Sequence, residues 1–271
     1  MTFEKPWPED KVFDLVDNRV MGIIEACKAN EYEVYLTGDG NFRFDVATIA
    51  PYKGKRSGDK PYHWKTVGER LKSHWGAITV LGIEADDILA MRGTKLPEYA
   101  IASRDKDLRQ VPCHHYSWGC GEHQPERPLY EVDYLGQVDY EVKVSPKGDK
   151  SYKLVGHGLR FFYGQILTGD TIDNIKGCPK IGPKTAADEL KFLTTEQELL
   201  NAVSRKYQLA YGDDWKKYLE ENARLLYLIR DYDWVTEEHL GDNCIKYSIN
   251  RMWEIPNAES TDDSTREDCR S

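Results

Sequence analysis

Between residues 10 and 29 the apolar positions Phe13, Val16, Val20, Ile23, Ile24 and Cys27 recur every three or four residues, the pattern of an amphipathic helix. The period then shortens. Tyr32–Thr37 is a β-branched and aromatic run closed by Gly38-Asp39-Gly40, which reads as a strand and a loop. Pro51 to Lys60 is a basic, Gly-containing loop, and Trp64, Val67, Leu71 and Trp75 then share one face of a helix. Ala77–Leu81 predicts a second strand, Glu84–Arg92 a helix and Tyr99–Ser103 a third strand. Strands alternating with helices imply an α/β fold with a parallel sheet.

Residues 128–155 alternate polar and apolar with turn signals, so 113–157 reads as a small antiparallel β insertion at the end of an α/β core spanning 1–157. From Gly158 the pattern is helical nearly to Arg230, broken only by the Gly/Pro-rich segment Gly177–Pro183. This places a helical region over 158–256, with a Gly-rich hairpin at 174–190. Residues 257–271 are almost all Ser, Thr, Asp, Glu and Arg, the composition of a disordered tail. No internal repeat is present.

Composition narrows the class. The 271 residues are 40% hydrophobic and 31% charged, an ordinary globular balance. No apolar run could span a bilayer, and the first ten residues lack the apolar stretch of a signal peptide, so a cytoplasmic protein is expected. The six cysteines are scattered and read as free thiols. Cys113-His114-His115, Cys120 and His123 are zinc-ligand types, but the gap between the two cysteines exceeds the usual short spacing, and the segment reads as a His- and Cys-rich loop. A net charge of −9 argues against a nucleic-acid partner unless the acids gather where metal ions neutralise them.

Three acidic clusters stand out. Glu84-Ala85-Asp86-Asp87 opens a helix after a strand, where the helix N-terminus eases the crowding of negative charge. Asp105 and Asp107 follow the strand Tyr99–Ser103, at the carboxyl end where ligands of open α/β sheets bind; an extended chain there would point both side chains the same way. Asp170 and Asp173 are three apart in Thr168–Asn174. Each pair taken alone is an ordinary solvated helix end or turn. Together they suit Mg²⁺ or Mn²⁺, and two such ions about 4 Å apart are a known device for phosphodiester hydrolysis. The loop Lys53-Gly54-Lys55-Arg56 supplies cations for a phosphate.

The segment Asn174–Ala187 has its own logic. Pro183 suits a first helical turn, Gly182 lets backbone approach a phosphate, and the helix N-terminus behind it offers N–H donors. Lys180 and Lys184 add charge, and such contacts grip a duplex without reading its sequence.

The motifs YKGKR (Tyr52–Arg56), GIEADD (Gly82–Asp87), SRDKD (Ser103–Asp107), TGDTIDNI (Thr168–Ile175) and IGPKTA (Ile181–Ala186) occur in an order that resembles the bacteriophage 5′→3′ exonuclease and flap endonuclease family, related to the 5′-nuclease domain of bacterial DNA polymerase I. The resemblance runs from about Tyr32 to Leu190. It implies a parallel-sheet, PIN-like nuclease core followed by a helix-hairpin-helix-type DNA-binding motif. Glu84, Asp86, Asp87 and Asp105 would hold a first Mg²⁺, and Asp107, Asp170 and Asp173 a second, with Mn²⁺ able to substitute. Lys53 and Arg56 would contact the scissile phosphate, and Lys55, Gly177, Lys180, Gly182, Lys184 and Thr185 would contact DNA. Relatives often bind K⁺ at the hairpin. Asp39 falls near another acidic position of the family. The implied substrates are DNA 5′ ends or flaps, RNA–DNA hybrids included, met during phage replication, primer removal or recombination in the host cytoplasm.

Two departures qualify this. The stretch between Arg56 and Glu84 is short, which favours exonuclease or primer-removing action over cutting long flaps. The family's apolar first strand ending in a metal-binding Asp has no counterpart here, since Asp10, Asp14 and Asp17 follow no apolar strand. The expectation is a chain shortened at its start; a strand borrowed from another polypeptide and a weakened nuclease are the other readings. The rival functions are a DNA-binding protein that does not cut and an RNA-cutting PIN-like nuclease.

Overall fold

The computed structural model describes residues 6–55, 59–122, 124–145, 147–241 and 243–256, so the expected tail at 257–271 lies outside the described residues. The first amphipathic helix is α1 (Glu9–Cys27), ended by Lys28 in the left-handed conformation at the C-cap. Then come β1 (Tyr35–Thr37), the short α2 (Arg43–Val46), α3 (Trp64–Trp75), β2 (Ile78–Leu81) and α4 (Ala85–Lys95). β3 (Ala100–Ala102) leads into a 3₁₀ turn (Asp107–Gln110) and four strands: β4 (His114–Ser117), β5 (Arg127–Glu131), β6 (Gln137–Val144) and β7 (Lys150–His157). Helices α5 (Gly158–Thr168), α6 (Pro183–Leu190), α7 (Glu196–Tyr211) and α8 (Trp215–Leu226) follow, and β8 (Val235–Gly241) and β9 (Cys244–Ile249) close the chain's described elements.

The expected mixed α/β architecture with parallel strand pairing is present. One sheet has the order β1-β2-β9-β8, in which β2 runs parallel to both β1 and β9 and β8 is antiparallel. A second has the order β3-β4-β5, with β3 and β4 parallel. The hairpin β6-β7 stands apart from both. Two expectations need correcting. Residues 235–249 are not part of a helical region: they form a hairpin that returns to the first sheet and pairs Thr79 with Cys244. Within 113–157, β4 is the parallel neighbour of β3 and so belongs to the α/β core.

Burial explains the layout. α5 is apolar nearly all round, with Leu159, Phe161, Phe162, Tyr163, Ile166 and Leu167 buried, and packs against α6, α7, α8 and the β6-β7 hairpin. A second apolar cluster joins β2, α4 and β9 through Val80, Ile83, Ile88, Met91 and Tyr247. The turn from β2 to α4 passes so close to β9 that a Cβ on Gly82, at φ +84°, would lie 2.0 Å from the Tyr247 carbonyl oxygen. Only glycine fits there.

Among the described residues no strand precedes β1. β1 and β3 each end a sheet and pair on one side only, and α4 packs against both.

Candidate metal centre

The β2–α4 junction presents the first acidic cluster. Glu84 is the N-cap of α4 and is buried, with its carboxylate taken by Lys53 Nζ and by the Tyr52 hydroxyl, which donates to Oε2 at 3.2 Å. Asp86, in the first turn, has its pKa raised to about 7, first by burial and then by the negative charges of Asp105, Glu84 and Asp87. Asp87 behaves differently. It is fully buried, and its two oxygens accept both terminal nitrogens of Arg43 at 2.7 and 2.8 Å, the Glu84 backbone N–H at 3.0 Å and the Ile229 backbone N–H at 3.0 Å. These four bonds engage every lone-pair direction of the Asp87 carboxylate and tie it into the fold.

The second cluster follows β3. The chain turns there instead of staying extended, because the 3₁₀ turn begins at Asp107. Asp105 is exposed and accepts the Asp107 backbone N–H at 2.9 Å, while the Lys106 side chain goes inward. Asp107 accepts from the buried Gln165 on α5. Burial raises the Asp107 pKa to about 6; Lys106 opposes that shift, and Asp105 and Asp170 add to it.

The third cluster caps the carboxyl end of α5. Asp170 is buried, bridges to Ile175 through the backbone, and accepts the Ile172 N–H at 2.8 Å. Lys106 Nζ donates to Asp170 Oδ2 at 2.5 Å and stands 3.5 Å from Asp107 Oδ1. Burial would raise the Asp170 pKa, but the Lys106 hydrogen bond and charge, helped by backbone donors, bring it below the ordinary value. Asp173 meets the basic loop: its carbonyl accepts the Lys53 N–H at 2.9 Å, and its Oδ2 lies 3.3 Å from the Tyr52 hydroxyl, which faces both Asp173 and Glu84.

The structure therefore brings the three clusters and Lys53 together. Among the described residues, however, no three metal-ligating side chains are gathered as a ready-made site. Lysine and arginine cations occupy the carboxylates instead. Arg56 lies outside the described residues, and Asp39 is exposed, its carbonyl accepting the Gly82 N–H at 3.0 Å. Sequence reasoning missed Arg43, Tyr52 as a positioning group, Gln165 and Lys106. Of these only Lys106, a cation set between two acids, carried a signal.

No protein-family profile matches the chain. Over 138 residues it is 28% identical to a 5′-3′ exonuclease of Buchnera aphidicola subsp. Schizaphis graminum, covering 49% of this chain and 42% of that protein. Over 114 residues it is 31% identical to DNA polymerase I of Rhizobium leguminosarum, covering 41% of this chain and 9% of that one. By sequence the chain thus resembles a 5′-3′ exonuclease and a DNA polymerase I. It spans less than half the length of each of these two. Solved structures similar to it include a zinc-bound bacteriophage T5 5′-exonuclease, at 16% identity and TM-score 0.46 over 80% of this chain and 81% of that one. Another is a T5 flap endonuclease complex with DNA and metal ions, at 14% identity and TM-score 0.41 over 83% and 93%.

α5 and α6 flank the Gly-rich segment. Gly169 and Gly177 lie back to back: a Cβ on Gly177, at φ +65°, would meet the Gly169 nitrogen at 2.4 Å. Gly177 is buried and its carbonyl accepts from the Tyr211 hydroxyl at 3.4 Å, so it packs the turn between the two helices. Gly182 is the exposed N-cap of α6, with open space around its Cα, and Lys180, Lys184 and Thr185 are exposed beside it. Lys55 is exposed on the basic loop. The His- and Cys-rich loop is no metal cluster among the described residues: Cys113 is buried 3.3 Å from His115 Nε2, which lies 2.8 Å from the Val111 carbonyl, and burial lowers the His115 pKa to about 4. Among the described residues no helix is long and apolar enough to cross a membrane.

Proposed function

We propose that the chain is a metal-dependent phosphodiesterase that cuts at DNA 5′ ends, as an exonuclease or flap endonuclease. The observation that carries this reading is the convergence of Lys53 with three carboxylate clusters at the carboxyl ends of β2, β3 and α5. The relationship to 5′-3′ exonucleases supports the polarity.

The donor set fits a divalent cation. It consists of hard carboxylate oxygens, and burial, with neighbouring carboxylates adding to it, raises Asp86 to about 7 and Asp107 to about 6, so their charged forms are ones a bound cation would stabilise. Glu84, Asp86 and Asp105 would hold one Mg²⁺ or Mn²⁺ and Asp107, Asp170 and Asp173 a second. When bound, such ions lower the pKa of an attacking water and stabilise charge on the displaced oxygens.

The chain's own groups supply positioning. Lys53 has left-handed backbone, at φ +55°, fixed by its N–H bond to Asp173. The Tyr52 ring beneath it is held by Glu84, Asp173 and an edge contact with Phe44. From there the Lys53 ammonium reaches Glu84, and a scissile phosphate at the same place would receive it instead. Gly182, Lys180, Lys184 and Thr185, at the N-terminus of α6, would hold backbone phosphates of the duplex.

The test is a nicked or 5′-recessed duplex labelled at each end, with DNA or RNA at the 5′ terminus, incubated with Mg²⁺, Mn²⁺ or EDTA beside an Asp105→Asn control. Metal-dependent release of short products from the 5′ end, lost in the control, is expected. Duplex binding with no cutting would overturn the enzymatic reading in favour of a DNA-binding protein.

A further inference from the structure

We propose that Lys106 is a built-in counter-ion of the carboxylate cluster, which a divalent cation must displace in order to bind. This rests on the metal-dependent reading above and adds a regulated, competitive step to the same site.

The backbone aims Lys106 into the cluster. It is the residue before the 3₁₀ turn, in right-handed helical conformation at φ −67° and ψ −28°, and this turn sends it inward between two aspartates. Its ammonium bonds Asp170 Oδ2 at 2.5 Å and stands 3.5 Å from Asp107 Oδ1, with Asp105 also in its field. One positive charge thus faces Asp105, Asp107 and Asp170. Neighbouring cations are committed elsewhere, Arg43 to Asp87 and Lys53 to Glu84. A divalent ion would match Asp107 and Asp170 better than one ammonium does, and Lys106 is free to leave. Its side chain is 35% exposed and is a point charge on a flexible four-carbon stem. Asp170 is by contrast fixed by backbone N–H groups from Ile172 and Asp173, so it stays in place when the lysine departs.

Two consequences follow. Without metal, Lys106 keeps the aspartates from repelling one another. With metal, it acts as a competitor that lowers affinity, so occupancy responds to metal concentration over a higher range than the carboxylates alone would set.

The test is Mn²⁺ titration by calorimetry on wild type, Lys106→Met and Lys106→Arg, with metal-free melting temperatures measured alongside. Lys106→Met should bind Mn²⁺ about fivefold more tightly or better, the scale of removing a partly exposed ion pair, and should melt lower without metal. Lys106→Arg should stay close to wild type. Equal or weaker Mn²⁺ binding by a folded Lys106→Met overturns the proposal while leaving the metal reading intact. Absence of Mn²⁺ binding in every form removes both. If Lys106→Met fails to fold, the wild type still decides: after ¹³C-dimethylation of its lysines, the resonance missing from Lys106→Arg must shift when Mg²⁺ is added. No shift overturns the proposal.

Discussion

Arg43 grips Asp87 with both terminal nitrogens, at 2.7 and 2.8 Å, across a pair of side chains that are 1% and 0% exposed. The same guanidinium donates to the Leu225 and Tyr227 carbonyls, so one residue ties α2 and the start of α4 to the end of α8. Its charge is held firmly: burial works against it, and Asp87 and Glu84 more than compensate.

Removing one partner strands a buried charge. Arg43→Met or Asp87→Asn should each lower unfolding free energy by about 3–5 kcal/mol in chemical denaturation. Arg43→Met combined with Asp87→Asn, which leaves no unpaired charge and keeps an acceptor for the Glu84 and Ile229 N–H groups, should cost less than the sum of the two single changes. An Asp87→Asn protein that keeps full stability and loses only metal binding would contradict the structural assignment of Asp87.

Asp86 is expected to behave in the opposite way. Its raised pKa means that the folded, metal-free protein is strained by its ionised form. Asp86→Asn should therefore raise the metal-free melting temperature at pH 8 while abolishing the further rise that Mn²⁺ gives the wild type. A Tm gain of roughly 2–4 °C corresponds to each kcal/mol in a chain of this size.

The pH dependence follows from Asp86 at about 7 and Asp107 at about 6, both above the ordinary carboxylate value. Over that interval the folded protein binds protons that the unfolded chain has already released. Metal-free stability should accordingly decline as pH rises from 5 to 8, and saturating Mg²⁺ should flatten the decline. Thermal melts across that range, with and without the ion, check it; a metal-free stability that rises over pH 5–8 would refute it.

The two glycines of the segment between α5 and α6 separate by role. Gly177→Ala forces a Cβ into the Gly169 backbone at positive φ and should cost about 1–3 kcal/mol of stability. Gly182→Ala has open space and ordinary φ, and should leave stability within about 1 kcal/mol while weakening duplex binding.

Lys180 and Lys184 are both exposed beside that N-terminus. Replacing either by Ala should weaken duplex binding similarly for all sequences and reduce the salt slope by about 1. Fluorescence anisotropy at several salt concentrations measures this.

Much of the site was legible because its acids sit in short motifs where a strand or helix ends. Glu84, Asp86, Asp105, Asp107, Asp170 and Asp173 are indeed brought into one region. What the acidic motif could not tell was that Asp87 turns to Arg43, 44 residues upstream, because that partner is set by tertiary packing. Asp105 and Asp107 shared a direction only on the assumption of an extended chain, and a 3₁₀ turn removed it. α1 was read from its period to within two residues of its ends. β8 and β9 were not, since their charged, half-exposed residues gain strand character from pairing with each other and with β2 rather than from any local apolar pattern.

The position of β9 carries a temporal cost. β2 and β9 are neighbours in space, yet Cys244 is made more than 160 residues after its partner Thr79. At synthesis rates of about 5–20 residues per second, β2 waits on the order of ten seconds or more for the strand that covers its flank. Until then the nascent sheet offers an open hydrogen-bonding edge to any passing chain. Parallel closure over so long a loop is slow as well. The sheet around β2 is thus completed only when the β8-β9 hairpin arrives, and in the interval before it the open β2 edge is a point of misassociation for the growing chain.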